Sequence, residues 1–180
     1  MKDIIFLLGL AGAGKTTTSR ILVANIEKEI ADGKLEAKGV IYLDGDEFRD
    51  AFGGFFSYER EDRIKLALLK IRLSVALAKQ GYIIVSSGIN LYNEFYKEAR
   101  QICTQANLKY FECYVRCSFE ELFKRDQKGL YSGAQNGKIK NVVGMDMPID
   151  EPIYADLVID SNANIEENIQ MIISKLKEQK

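Results

Sequence analysis

A glycine-rich loop between an apolar run and a helical pattern constrains this chain more than any other feature. Residues Ile4–Leu8 form the apolar run, and Gly9–Thr16 follow with the spacing G-x-x-x-x-G-K-[ST]. With that spacing, glycines let consecutive backbone N–H groups turn inward around phosphate oxygens, while the lysine supplies a cation and the hydroxyl a magnesium ligand. Apolar residues at helical spacing within Ser19–Ile30 predict the helix that follows. The stretch therefore predicts a strand, a phosphate-binding loop and a helix.

We expect this loop to bind the phosphates of a nucleoside triphosphate. Lys15 is also a candidate catalytic residue, and Thr16 is also a candidate magnesium ligand. The phosphate-binding candidates are Gly12, Ala13, Gly14, Lys15, Thr16 and Thr17.

The same stretch superficially resembles a secretory signal, because Met1 and Lys2 precede an apolar run and small residues. However, Asp3 lies where such a signal is positive, and the run leads to Lys15 rather than to a small-residue cleavage site. No apolar stretch reaches the ~18 residues that a membrane helix needs. We therefore expect a cytoplasmic protein that does not bind the membrane.

Composition narrows the class of protein. A chain of 180 residues that is 47% hydrophobic with two prolines suits one compact α/β domain spanning residues 1–180. With 25 basic and 26 acidic residues the net charge is −1, which disfavours nucleic acid as a partner. The sequence contains no histidine, so Asp, Glu, Lys or Tyr must accept or donate any proton that the reaction moves. We therefore expect the chemistry to depend on carboxylates, lysine and a metal ion.

Three cysteines, Cys103, Cys113 and Cys117, lack the paired C-x-x-C spacing of a metal site. Because their number is odd, we interpret them as buried thiols in a reducing compartment rather than as disulfides.

Strand and helix patterns alternate along the whole chain without an internal repeat. This order predicts a three-layer α/β fold, with a parallel sheet of about five strands flanked by helices. A polar, glycine-bearing segment with little periodicity, about residues 126–150, predicts a mobile lid. The predicted strands are Ile4–Leu8, Gly39–Leu43, Gly81–Ser87, Tyr110–Val115 and Leu157–Asp160, and the clearest helices are Ser19–Ile30, Asp62–Lys79, Asn93–Ala106 and Ile165–Lys177.

Two acidic residues end the second predicted strand. Because ligands of open parallel sheets bind beyond the carboxyl ends of the strands, Asp44 and Asp46 should share an edge with the phosphate-binding loop. A turn stabilised by an Asx cap is the alternative interpretation.

The motifs resemble those of the adenylylsulfate kinase family over nearly the whole chain. The guanine-reading Asn-Lys-x-Asp tetrapeptide of small GTPases is absent. The family shows G-L-S-G-x-G-K-[ST], D-G-D-N-x-R, a D-R that heads a helix, I-S-P-Y, R-D-x-K-G-L-Y, I-K-N-F-T-G-I-D and x-Y-E-x-P. The matching segments here are Gly9–Thr16, Asp44–Arg49, Asp62–Arg63, Ile89–Tyr92, Arg125–Tyr131, Ile139–Asp146 and Ile149–Pro152.

This resemblance implies transfer of the γ-phosphoryl group of ATP, with Mg²⁺, to the 3′-hydroxyl of a small nucleotide whose 5′ end carries a mixed anhydride. Asp44 would then position a water on the metal, and Asp46 would orient or deprotonate the hydroxyl. Such transfer depends on positioning and charge stabilisation, so a carboxylate suffices where histidine is absent. Arg125 and Lys128 would bind the donor; the implied acceptor-binding residues are Asp46, Arg49, Phe56, Arg63, Ile89, Asn90, Lys128 and Leu130.

Simpler interpretations of these residues stay open. Arg49 and Arg63 could form surface ion pairs, and Arg125 could pair locally with Asp126 at a helix end. The phenylalanines between positions 52 and 56 are more often core residues than base-stacking groups.

Departures from the family pattern fall on the acceptor side. In the family, two aromatic rings clamp the adenine of the acceptor. Phe56 is the best match for one ring, with Phe55 as the alternative, whereas Val142 replaces the other. Leu66 stands where the family has asparagine, and Asn90 stands where it has serine.

Two acceptors therefore remain open: adenylylsulfate, which the family's majority activity slightly favours, and a pyrimidine analogue such as cytidine diphosphoramidate. The sequence also leaves open a nucleotide-binding module without turnover and an ATPase without an acceptor. The resemblance also favours a homodimer.

Overall fold

Five parallel strands form one sheet in the order β2-β3-β1-β4-β5. The structure, a computed structural model, describes residues 3–126 and 128–178, so Met1, Lys2 and the Gln127 of the predicted lid lie outside the described residues. The strands are β1 (Ile4–Leu8), β2 (Gly39–Leu43), β3 (Tyr82–Gly88), β4 (Tyr110–Arg116) and β5 (Leu157–Asp160). The sequence predicted this α/β class, and each predicted strand is confirmed to within a residue at its ends.

Seven helices connect and cover the strands within the described residues. The buried face of α1 packs on the β2 and β3 side of the sheet and against the last helix, while α3 and α4 pack against each other on the opposite face. The helices are α1 (Lys15–Ala31), α2 (Gly45–Asp50), α3 (Arg60–Ala78), α4 (Asn93–Gln105), α5 (Phe119–Arg125), α6 (Leu130–Gln135) and α7 (Ile165–Glu178).

The central strand β1 carries the core. All five of its side chains are 0% exposed, as expected for a parallel strand that helices cover on both faces. The ring of Phe6 lies 5.2 Å from that of Phe95 on α4, which fixes one helix layer against the sheet.

The carboxyl ends of β1 and β3 lie side by side, because Leu8 pairs with Gly88. The chain leaves β1 toward β2 but leaves β3 toward β4 on the other side of β1. Such a reversal of direction opens a crevice at the strand ends, where open α/β sheets bind their ligands.

Two predicted features differ in the structure. Helix α1 begins at Lys15 rather than Ser19, because Gly14 at φ +88° forms its N-cap and places Lys15 in the first turn. The segment predicted to lack regular structure contains α6, which is too short to show periodicity. Asp126 stabilises the start of α6 by accepting hydrogen bonds from the backbone N–H groups of Tyr131 and Ser132, both at 2.9 Å.

The apolar stripe of α3 packs against the core, with Ile71 fully buried and Ile64, Leu68 and Val75 partly buried. The most buried face of the helix also includes polar residues, because Lys70 and Ser74 are buried beside Leu66, Ala67 and Ile71.

All three cysteines are free; Cys103 and Cys113 are buried, as predicted, and Cys117 is half-buried. Among the residues that the structure describes, none of the helices combines the length and apolar character that a membrane span requires.

An ion pair with a buried carboxylate lies near the start of β4, away from the crevice. Arg100 on α4 donates a hydrogen bond to the carboxylate of Glu112 on β4, which is 1% exposed. Tyr110 donates a second hydrogen bond to that carboxylate at 3.1 Å. Burial raises the pKa of Glu112, and the Arg100 guanidinium opposes this effect.

Replacing Arg100 with methionine should lower the free energy of unfolding by about 3 kcal/mol, because it leaves the Glu112 carboxylate buried without its cation. Urea unfolding monitored by circular dichroism measures the change. Arg72→Met is the matched control: its pair with Glu98 is 58% and 45% exposed, and exposed pairs contribute less than about 1 kcal/mol. Equal losses in the two variants would contradict a special role for the buried pair.

Candidate active site

One cavity of about 490 Å³ lies at the carboxyl ends of β1, β2 and β3. It is within the size range of small-molecule sites in proteins. Three elements build it: the phosphate-binding loop on the α1 side, α2 with the end of β2, and α3 with the segment after β3. Helix α5 and the lid segment with α6 form the fourth side, with Leu122, Arg125, Asp126, Lys128, Leu130 and Tyr131 in the cavity lining.

The phosphate-binding loop has the geometry that its sequence predicts. Its last glycine starts α1, so the first backbone N–H groups of that helix face the cavity with the positive end of the helix dipole. The Lys15 ammonium donates a hydrogen bond to the Leu10 carbonyl at 2.7 Å. Burial lowers the pKa of Lys15 to about 8, and the carboxylates of Asp46 and Asp44 oppose that effect.

Asp44 connects the loop to the neighbouring strands. Its Oδ2 atom accepts hydrogen bonds from Thr16 Oγ1 at 2.9 Å, from the Tyr42 hydroxyl at 2.7 Å and from Ser87 Oγ at 3.3 Å. Burial favours a higher pKa for Asp44, but hydrogen bonds from Tyr42, the Asp46 amide and Thr16 outweigh it and lower the pKa to about 2. The carboxylate is therefore ionised at neutral pH beside the Thr16 hydroxyl.

The Oδ1 atom of Asp44 caps α2, because it accepts the backbone N–H of Asp46 at 2.8 Å and that of Glu47 at 3.4 Å. The Asx-cap interpretation and the active-site interpretation of this residue are thus both compatible with the geometry. A side chain at Gly45 would place its Cβ 2.9 Å from the Ser87 carbonyl, so only glycine lets β2 end so close to β3.

Asp46 projects from α2 into the mouth of the cavity. Its Oδ2 lies 3.5 Å from the Lys128 ammonium of the lid segment, and the two side chains are 83% and 85% exposed. The carboxylate and the cation therefore face each other across the opening, where a reacting hydroxyl and phosphoryl group could meet.

Arg49 and Arg63 line the side of the cavity away from the phosphate-binding loop. Arg49 donates to the carbonyls of Phe56 and Ser57, at 3.1 and 2.8 Å. Arg63 donates to the Tyr58 carbonyl at 2.8 Å and to Asn141 of the lid at 2.9 Å. Within the part of the chain that the structure describes, both arginines bind backbone carbonyls rather than surface carboxylates, which disfavours the surface ion-pair interpretation.

Arg125 connects the end of α5 to the segment after β5, and Tyr131 connects the lid segment to the phosphate-binding loop. Its guanidinium donates to Glu121 at 2.8 Å, a local pair within the helix, and also to Ser161 Oγ at 2.6 Å and to Asn162 Oδ1 at 2.9 Å. Tyr131 on α6 donates from its hydroxyl to the Ala11 carbonyl of the loop at 2.7 Å.

The cavity brings together most of the candidate residues. Ala13 lies outside its lining, with a side chain 1% exposed in the core, and Phe56 also lies outside the lining. The candidates that line the cavity are Gly12, Gly14, Lys15, Thr16, Thr17, Asp44, Asp46, Arg49, Arg63, Ile89, Asn90, Arg125, Lys128 and Leu130.

The phenylalanines between positions 52 and 56, for which the sequence left a core role open, do not lie in the core. Phe52 is 36% exposed and Phe55 is 80% exposed. Phe48, Phe52 and Phe56 instead form a chain of edge-on ring contacts, with centroids 5.3 and 5.4 Å apart, that begins at the cavity. Phe48 is the aromatic residue of this cluster that lines the cavity.

Sequence reasoning missed Phe48, Lys70 and Ser87, which also line the cavity. The position of Ser87 at the end of a predicted strand is a signal that could have identified it. Lys70 gave no signal, because a lysine within an amphipathic helix is normally assigned to the solvent face.

Comparison with known proteins identifies the family. The sequence model of the adenylylsulphate kinase family matches residues 1–160. The chain belongs to the adenylylsulphate kinase family. A cytidine diphosphoramidate kinase of Campylobacter jejuni is 43% identical over 176 residues, covering 96% of this chain and 95% of that protein. An adenylyl-sulfate kinase of Oceanobacillus iheyensis is 35% identical over 176 residues, covering 97% of this chain and 84% of that protein.

The fold comparison agrees. The structure of the Mycobacterium tuberculosis APS kinase CysC in complex with AMPPNP and APS matches with a TM-score of 0.86 and 25% identity, covering 98% of each chain. These relatives of the adenylylsulphate kinase family are kinases, which are phosphotransferases that act on a hydroxyl group. The resemblance inferred from the motifs is confirmed.

Two departures from the adenylylsulphate kinase pattern have different positions in the structure. Val142, within the lid segment, is 3% exposed and packs in the core, outside the cavity lining. Leu66 lines the cavity one helical turn before Lys70. The change at position 66 therefore alters the cavity surface directly, whereas the side chain at 142 points into the core.

Proposed function

We propose that this protein transfers the γ-phosphoryl group of ATP to the 3′-hydroxyl of a nucleotide with a 5′ anhydride. Cytidine diphosphoramidate is the preferred acceptor in this proposal, and adenylylsulfate is the second candidate. The arrangement that supports transfer is a cavity with a phosphate-binding loop at one side, two arginines at the other and Asp46 between them. The anionic donor would bind at the phosphate-binding loop with Lys15, and the anionic acceptor would bind at Arg49 and Arg63.

The donor would bind at the start of α1. Backbone N–H groups from Gly12 to Thr17, including that of Ala13, would surround its phosphates, and the Lys15 ammonium would stabilise charge on the transferred group. Arg125 at the end of α5 and Lys128 of the lid segment would bind the donor from the other side, and the lid segment would exclude water during transfer.

The residues fit a magnesium ion. Thr16 Oγ1 and the ionised Asp44 carboxylate lie 2.9 Å apart, and oxygen donors of this kind are what Mg²⁺ prefers in proteins. Bound Mg²⁺ would neutralise charge on the donor phosphates. Thr16 would hold the ion, and Asp44 would orient a water on it.

The acceptor would lie along α2 and α3. Asp46 would orient its 3′-hydroxyl or accept the proton, because it stands at the cavity mouth opposite Lys128. Arg49 and Arg63 would bind the anionic end of the acceptor. The remaining contacts would come from Ile89, Asn90, Leu130 and Phe56. Phe56 lies outside the cavity lining, so the exposed aromatic cluster that begins at Phe48 would have to rearrange before Phe56 could contact the acceptor.

The higher identity to the cytidine diphosphoramidate kinase, 43% against 35% for the adenylyl-sulfate kinase, carries the choice of acceptor. The departures from the family pattern point the same way. Position 142 offers valine, buried in the core, where the family has an aromatic ring for adenine. Loss of one stacking face costs about 1–3 kcal/mol, which penalises a purine more than a smaller pyrimidine. Adenylylsulfate is the second candidate, because the family model matches residues 1–160.

Acceptor-dependent ADP release from Mg-ATP tests the assignment. We expect kcat/KM for cytidine diphosphoramidate to exceed that for adenylylsulfate by about tenfold or more. Asp46→Asn is the control that separates transfer to the acceptor from background hydrolysis. Preference for adenylylsulfate would favour the second candidate. ADP release without any acceptor would indicate an ATPase, and ATP binding without turnover would indicate a nucleotide-binding module.

We propose a cytoplasmic homodimer as the working form, as the family resemblance implies. Light scattering of the purified protein at several concentrations measures the mass. A single species at the 20.4 kDa mass of one chain would contradict the dimer.

A further inference from the structure

Lys70 is a buried cation at the base of the cavity. Lys70 is 2% exposed, and its ammonium lies 5.0 Å from the centre of the Phe6 ring. It donates a hydrogen bond to the Ser87 carbonyl at 2.5 Å. An ammonium group carries three N–H donors, and within residues 3–126 and 128–178 this carbonyl is the acceptor that the structure provides.

The fold alone does not explain a lysine at this position. Burial lowers the pKa of Lys70 to about 7, which means that the surroundings disfavour its charge, although Asp44 and Asp46 oppose this effect. A methionine would fill the same space without desolvating a cation. A ligand anion would supply the acceptors that the protein does not.

The position of Lys70 places it on the acceptor side of the cavity. Helix α3 covers the sheet face opposite the layer that α1 forms with α7, and the phosphate-binding loop belongs to α1. The ammonium therefore approaches the strand ends from the face opposite the donor phosphates. Arg63 and Leu66 lie on the same helix and line the same cavity.

Asn90 brings a neutral donor to the same point. A Cβ built on Gly88 would lie 2.6 Å from the Asn90 amide nitrogen and 3.3 Å from the Lys70 ammonium. The glycine thus keeps the end of β3 open between the two nitrogen atoms. Asn90 itself adopts a left-handed backbone with φ +34°, which turns its side chain to the cavity.

We propose that Lys70 makes the site specific for 5′-phosphorylated acceptors by binding the 5′-phosphoryl oxygens of the nucleotide, with the Asn90 amide as its neighbour. This inference rests on the proposed function and names the group that recognises its acceptor. A lysine binds phosphate as a point charge, so it tolerates different terminal groups on the anhydride. The family pattern has an asparagine at the position of Leu66, and Lys70 lies one turn later on the same face of the helix. The chain thus has a charged hydrogen-bond donor at position 70 in place of a neutral donor at position 66.

Lys70→Met in the full chain tests the proposal through steady-state kinetics. We expect KM for the 5′-anhydride acceptor to rise about 30-fold, the loss typical of a hydrogen bond to a charged group, while KM for ATP changes less than twofold. With the 5′-hydroxyl nucleoside as acceptor, the variant and the unaltered protein should be equal. Lys65→Met is the matched control, because that lysine is 62% exposed on the same helix and should change neither constant.

Calorimetric binding of the 5′-phosphorylated nucleoside, without ATP, keeps the test independent of turnover. An affinity loss of about 30-fold in Lys70→Met with a melting temperature that is equal to or higher than that of the unaltered protein supports the proposal. Equal rises in the KM values for ATP and acceptor, or equal losses with and without the 5′-phosphoryl group, would show a structural role and overturn it. If the unaltered protein binds the nucleotide but transfers nothing to any acceptor, the proposed function fails while the binding arm still decides the role of Lys70.

Discussion

Lys15→Met should reduce kcat by about 10³-fold while leaving the protein folded. The ammonium lies in the phosphate-binding loop, held by the Leu10 carbonyl at 2.7 Å. Phosphoryl transfer is accelerated mainly by positioned charge, and removal of one preorganised donor at the transition state costs about 10²–10³ in rate. The lysine contributes a full charge as well as a hydrogen bond, so the upper end of that range applies.

Stability should not account for this loss. Burial lowers the pKa of Lys15 to about 8, so the folded protein holds this charge at a cost that methionine removes. We expect the melting temperature of Lys15→Met to equal or exceed that of the unaltered protein. Coupled ADP-release kinetics and thermal unfolding together measure both quantities.

Lys28→Met is the matched control for this substitution, because Lys28 is exposed near the end of the same helix. Its kcat should stay within twofold of the unaltered value. A Lys15→Met variant that retained more than a tenth of the rate would mean that the donor phosphates bind elsewhere.

The sequence predicted those parts of the site that are encoded locally. Spacing alone identifies the loop from Gly9 to Thr16, because each residue there acts through its own backbone or side chain. Asp44 follows from its place at the end of a strand, since parallel strands end at a common edge. These predictions needed no knowledge of how the helices pack.

Residues whose role depends on packing were not predictable in this way. Lys70 lies within an amphipathic pattern, and only the rotation of α3 in the folded protein turns it toward the cavity. The choice between Phe48 and Phe56 depends on the path of the loop after α2, which no periodicity constrains. Val142 matched an aromatic position in sequence, but its burial depends on how the lid segment folds back on the core.

Helix α6 illustrates a further limit. A helix from Leu130 to Gln135 spans fewer than two turns, so an apolar period cannot appear in it. Asp126 stabilises its first turn from a position before the helix begins, across a segment that has the pattern of an irregular loop. Short elements that depend on such contacts are visible only in the folded chain.

Asp44→Asn should reduce kcat by about 10²–10³-fold, with a change in unfolding free energy below about 1 kcal/mol. Asparagine caps a helix as well as aspartate does, so Oδ1 can still accept the amides at the start of α2. The hydroxyls of Thr16, Tyr42 and Ser87 surround Oδ2, and each can turn to accept a proton from the new amide. The variant therefore keeps the geometry and loses the negative charge.

That charge is the property under test. Hydrogen bonds lower the pKa of Asp44 to about 2 against the opposing effect of burial, so the group is ionised throughout the neutral range. If Asp44 orients water on a magnesium ion, the variant should also need a higher Mg²⁺ concentration for half-maximal rate. A magnesium titration at saturating ATP measures this shift together with kcat.

Tyr42→Phe separates the charge of Asp44 from its hydrogen bonding. This control removes the 2.7 Å hydrogen bond to Oδ2 but leaves the carboxylate and the α2 cap in place. We expect a loss of kcat of about fivefold, because a single hydrogen bond contributes about 1 kcal/mol and Tyr42 does not line the cavity. If Asp44→Asn were no more impaired than Tyr42→Phe, Asp44 would serve only as the cap of α2, and another group would have to hold the metal.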